Sequence, residues 1–160
     1  MEKSSVITLE EGLLEELRKD SADILLTCQL FYLVRCVERS NFFLDALIDR
    51  IETENPELPR YSELLLRLVA DIDSVPVLKR AQDAVSKYIL ESSLAILSHR
   101  HLLWIECSLR IASRLEDLGD GFRSVLPALD WLASNQDQKE RMLMISKENR
   151  LGSLLTLLAQ

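Results

Sequence analysis

The sequence predicts an all-α protein, an irregular helical bundle or short α-solenoid of about eight or nine helices, folded as one domain over residues 1–160. Three observations predict it. Apolar residues recur at helical spacing along the chain, and no segment alternates as a strand would. Only 4 Gly and 4 Pro occur, fewer than the turns of a sheet protein of this length usually need. Leucine dominates the apolar set, and β-branched residues rarely cluster. With 48% apolar and 28% charged residues, the balance is that of a globular domain with a real core. The same pattern suits a fragment or end of a longer helical-repeat protein.

Thr8-Leu9-Glu10-Glu11 is a capping box that opens a first helix, with Leu9, Leu13, Leu14 and Leu17 on one face. Ser21 caps a second helix over 22–38 that is apolar almost all round, so it is expected to be central. Phe43, Leu44, Leu47, Ile48 and Ile51 make one stripe over 41–53, and Thr53-Glu54-Asn55-Pro56 with Pro59 marks a loop. Over 60–72, Leu65, Leu68, Val69 and Ile72 face inward, while Glu63, Arg67 and Asp71 form an outward row spaced by four. Asp73-Ser74-Val75-Pro76 is a cap followed by a proline in the first turn, where a missing N–H costs nothing, and the helix runs to about Leu97. Ser98 caps a helix to Leu118, or the two are continuous, and Gly119-Asp120-Gly121 ends it. Helices over 124–134, 138–147 and 150–159 complete the chain.

The formal charge is −7, which disfavours binding to phosphate backbones. Acidic residues outnumber basic ones 13 to 7 over residues 1–60 but stand at 4 to 5 over 121–160, so the acidic face lies in the first part of the chain. No apolar run is long enough to span a bilayer; the longest, Ile24–Val37, contains Thr27, Gln29 and Arg35. Three cysteines, Cys28, Cys36 and Cys107, sit in apolar helical surroundings behind a polar start, which fits an intracellular protein, cytoplasmic or nuclear.

Both histidines fall in one ten-residue stretch, SHRHLLWIEC, with a carboxylate and a thiol. A helix advances about 100° per residue, which puts His99 near 60°, His101 near 260° and Cys107 near 140° from Leu102. These directions do not converge as a helical metal pair must. The same wheel puts Glu106, Arg110, Ser113 and Asp117 on one outward polar strip and leaves Trp104 and Cys107 to core packing. Phosphate-binding glycine loops, the nucleophile elbow and paired Cys-x-x-Cys spacing are all missing from the sequence. The sequence therefore offers no catalytic, cofactor-binding or metal residues, and a non-enzymatic protein is expected.

Two segments resemble known elements. Ile111, Leu115, Leu118 and Phe122, with Gly119 and Asp120 between the last two, resemble the BH-three motif, by which death agonists bind survival proteins of the Bcl type. The resemblance implies a helix laid in a partner groove, with Asp120 meeting a partner arginine. Residues 121–160 resemble an armadillo or HEAT-like helical repeat. Gly121, Leu126, Pro127, Leu129 and Leu132 match one helix, and Asn149, Leu151, Leu154, Leu155 and Leu158 match the start of the next, with Asn149-Arg150 where the repeat carries Asn-Gly. That resemblance implies a stack of helical hairpins used to bind proteins.

The expected function is a protein–protein interaction module, a scaffold or adaptor subunit of a larger complex, which takes a partner helix through an apolar groove or ridge. The residues expected to form that surface are Leu151, Leu154, Leu155 and Leu158, then Leu13 and Leu17. Glu10, Glu11, Glu15 and Glu16 would steer a basic partner. The alternatives are an apoptosis-linked protein acting through Ile111, Leu115, Leu118, Asp120 and Phe122, and a homodimer formed through the terminal helix.

Overall fold

The computed structural model describes residues 42–53, 60–91, 99–120 and 125–159. Every regular element among the described residues is helical. Seven α-helices occur there: α1 (Phe42–Glu52), α2 (Arg60–Leu68), α3 (Val75–Glu91), α4 (His99–Asp117), α5 (Leu126–Ser134), α6 (Lys139–Glu148) and α7 (Gly152–Leu158). Short 3-10 turns at Val69–Asp71 and Gln136–Gln138 extend α2 and lead into α6. They correspond one for one to the last seven helices expected. The helices expected over 8–17 and 22–38, the loop over 54–59 and the end of α3 near Leu97 lie outside the described residues.

The helix ends follow local chemistry. Ser74 Oγ accepts the Val77 amide at 3.4 Å, so Ser74 caps α3 as its sequence predicts, with Pro76 in the first turn. At the end of α4, Gly119 takes φ 87°. Its N–H donates to the Glu116 carbonyl at 2.9 Å, and the Asp120 N–H donates to the Leu115 carbonyl at 2.8 Å. This is a Schellman ending, which glycine adopts without steric cost. The ending of α6 repeats it: Leu151 N–H donates to the Ser146 carbonyl at 2.9 Å, with Arg150 at φ 57° in the place glycine took before.

The fold is organised around α4, which packs against α2, α3, α5, α6 and α7. Leu102, Ile105, Cys107, Ile111 and Leu115 of α4 are completely or almost completely buried. Each such aliphatic side chain contributes about 1.5–3 kcal/mol by leaving water. The surrounding helices meet it with Leu65 and Leu68 of α2, Leu78 and Val85 of α3, and Leu154 of α7.

Polar side chains of α4 set its register with α2. Cys107 Sγ donates to the Ser62 carbonyl at 3.3 Å, Arg110 to the Leu66 carbonyl at 3.4 Å and Arg114 to the Ile72 carbonyl at 2.9 Å. The partners rise together along both helices, so α2 and α4 run parallel. The two arginines also satisfy carbonyls near the end of α2, where a helix leaves its last acceptors unpaired. Arg114 completes its fork on Asp73 at 2.6 Å.

On the far side of α3, Arg80 reaches three carboxylates of α1: Asp45 at 3.8 Å, Asp49, and Glu52 at 3.0 Å. The hydrogen bond to Asp49 is the main reason its guanidinium is held above its ordinary value. Of the outward row expected over 60–72, Glu63 and Arg67 pair at 3.7 Å, while Asp71 falls in the 3-10 turn and is half-buried.

Candidate functional site

Ser98, the expected cap, lies outside the described residues; residues 99–107 of the stretch SHRHLLWIEC form a wall of the core. His99 is exposed at the first turn of α4, while His101 is half-buried and faces other elements. The His101 ring stacks on Trp131 of α5, 6.5 Å between centroids, and meets the edge of Trp104 at 6.1 Å. Trp104 stacks in turn on Tyr88 of α3 at 5.1 Å, and the Tyr88 hydroxyl donates to the Ile51 carbonyl at the end of α1. One aromatic run thus joins four helices. Burial, then the charge of Arg100, holds His101 below the usual histidine value. Cys107 is fully buried. Among the described residues no three His, Cys, Asp or Glu side chains gather as metal ligands.

Glu106 corrects the outward strip read from the helical wheel. Its side chain is 0% exposed. The carboxylate accepts the Ser153 N–H at 2.7 Å and the Leu154 N–H at 3.2 Å, the second and third residues of α7. The N-cap position of α7 is held by Leu151, which has no side-chain acceptor. The cap is supplied from α4 instead, 47 residues earlier in the chain. Arg110 stands 3.8 Å from the same carboxylate. Arg110 is half-buried, and of the strip Ser113 and Asp117 are exposed as expected.

The expected terminal ridge is also corrected. Leu151, Leu154 and Leu158 are buried, because α7 folds back on α4 and α6, and Leu155 is half-buried. These side chains complete the core. Leu13 and Leu17 lie outside the described residues. In the segment resembling the BH-three motif, Ile111 and Leu115 are fully buried, Leu118 is half-buried, and the helix stops at Asp117. The continuous, detachable helix that the resemblance implies is not what these residues form. Asp120 pairs with Lys79 at 3.4 Å, and Phe122 lies outside the described residues.

Among the described residues, the large exposed apolar side chains are Leu90 of α3, Met144 of α6, and Leu126 and Leu129, which share α5. Ala128, Trp131 and Leu132 are its buried side. Leu126 and Leu129, 53% and 36% exposed, lie with the exposed Ala133 at i, i+3 and i+7 on another. The exposed Asp130, i+4 from Leu126, lies beside them. This stripe runs into an open groove of about 360 Å³ between α5, α6 and α7. Its apolar walls are Leu129, Leu132, Ala133, Met142, Leu157 and Leu158, and Gln136 and Lys139 are its polar members. Of the expected surface leucines among the described residues, only Leu158 reaches it. The missed residues left a signal. The stretch LPALDWLAS holds more apolar residues than one buried stripe can use.

Among the described residues no helix is long and apolar enough to cross a membrane. Comparison of the chain with protein-family models, curated proteins and solved structures gives no match.

Proposed function

We propose that this chain is a non-catalytic protein–protein interaction module, a scaffold or adaptor subunit, and that the stripe and groove on α5 receive a partner helix. The observation that carries the reading is the double-faced character of α5. Leu126 and Leu129 keep 53% and 36% of their surface in water, and covering the remainder would gain each about 0.5–1.5 kcal/mol. A groove beside such a stripe suits an amphipathic helix read through i, i+3 and i+7 anchors. An irregular stack of helical hairpins, with α6 and α7 as the last pair, is the arrangement that fits this use.

The test is recovery of partners from native extract by the wild-type chain and by Leu129→Glu. Leu129 is already partly exposed, so the variant is expected to keep its helicity, checked by circular dichroism. Loss of a partner with helicity intact supports the reading. Equal recovery of every partner refutes it.

A further inference from the structure

We infer that α7 is an exchangeable element: two copies of this chain trade their α7 helices by opening the Asn149–Leu151 turn, and so form a swapped dimer. The inference stands apart from the stripe on α5 and rests on how α7 is held. Its anchors are Leu151, Leu154 and Leu158, packed where α7 meets α4 and α6. Its cap is the Glu106 carboxylate of α4, which accepts the Ser153 and Leu154 amides. None of these contacts requires α7 to come from the same copy. The seat also selects its occupant. A fully buried carboxylate beside three leucine sites needs a helix start with unpaired N–H groups and leucines at matching positions. A second copy brings that helix in full.

The turn favours the trade. It is short, lying between Glu148 at the end of α6 and Gly152 at the start of α7. Arg150 within it, at φ 57°, is the only non-glycine residue at positive φ among the described residues. The matching place after α4 is held by Gly119. A side chain in the left-handed region is strained, and a short strained hinge is relieved when it opens. Opening gives up the bonds of the turn, such as that from the Leu151 N–H to the Ser146 carbonyl. In exchange the relief comes twice per dimer, while the buried contacts of both α7 helices are kept. Leu157 and Leu158, which wall the groove beside α5, then come from the second copy.

The test equilibrates the full chain in mild urea over a series of concentrations, returns it to buffer, and measures monomer and dimer by size exclusion with light scattering. A dimer is expected that persists on dilution, because α7 must open before it can return. Its equilibrium dissociation constant is expected to rise roughly thirty-fold in Arg150→Gly, where both hinges lose their strain. Arg150→Ala, which keeps the strain without the charge, and Leu129→Glu on α5 leave it unchanged. A complementation experiment identifies the exchanged helix. Isotope-labelled Glu106→Ala is taken through the same cycle with unlabelled wild type, and hydrogen exchange is followed at the labelled residues 153 and 154 of the isolated dimer. A slowly exchanging fraction is expected there, absent when Glu106→Ala is cycled alone, because Glu106 of the wild-type copy caps the labelled helix. Labelled amides left unprotected in the mixed dimer overturn the inference. So does a wild type that stays monomeric at every concentration, a dimer indifferent to Arg150→Gly, or one lost in Leu129→Glu, which would belong to the α5 stripe. If Glu106→Ala does not fold, the Arg150 and Leu129 variants decide by these same outcomes.

Discussion

Replacing Glu106 tests how the last helix is held. In Glu106→Ala the amides of Ser153 and Leu154 lose their shared acceptor. A buried donor left unpaired costs about 1–3 kcal/mol, and two are affected here. Arg110, already bonded to the Leu66 carbonyl and partly exposed, recovers some of its loss in water. Helix α7 has only seven residues, far short of what stands alone. The expected loss is therefore about 2–5 kcal/mol in total, with α7 released first. Glu106→Gln keeps one acceptor oxygen but turns an N–H toward a donor, so about half that loss is expected. Urea denaturation gives the global figure, and amide hydrogen exchange at residues 153 and 154 reads the local one. A Glu106→Ala variant within about 0.5 kcal/mol of wild type, with both amides still protected, would refute the capping argument.

Three further outcomes are expected. Arg150→Gly relieves a left-handed backbone that costs a side chain about 1–2 kcal/mol, offset by the added freedom of the unfolded chain, so a gain of up to about 1 kcal/mol should appear in the denaturation midpoint. Leu115→Ala empties a fully buried site and should cost about 2–5 kcal/mol; a neutral effect would mean that the stripe of α4 is not core. His101 binds its proton less readily in the fold than in the unfolded chain. Stability from this residue is complete above the unfolded value of about 6.5, falls as the pH drops from there and is fully lost once the pH has passed through the lower folded value, so melting temperature should begin to decline as the pH falls past about 6.5 in the wild type and decline less in His101→Gln.

What could be read from the sequence was set by periodicity and local stops. Ser74, Pro76 and Gly119 act within one turn of themselves, and their positions in the chain already contain the answer. The burial of Trp104, Cys107 and Ile111 also follows from one helical wheel. Glu106 does not, because its burial depends on which distant helix lacks an acceptor of its own. Arg80 is similar: its three carboxylates lie at least 28 residues away on another helix. Gln82, 1% exposed and donating to the Ser108 carbonyl at 3.0 Å, is polar in sequence and interior in space for the same reason. The candidate surface failed in the opposite sense. An apolar ridge in a sequence shows that something covers it, and the leucines of α7 are covered by their own chain. The excess over that need lies on α5.

The aromatic run also fixes what light can report about this molecule. Both tryptophans of the chain, Trp104 and Trp131, belong to it. Intrinsic emission therefore watches the seam between α3, α4 and α5, while far-ultraviolet ellipticity counts every helix. If α7 departs before the rest, ellipticity falls while emission holds. The separation of the two curves then measures how tightly the end of the chain is fastened, with no label attached.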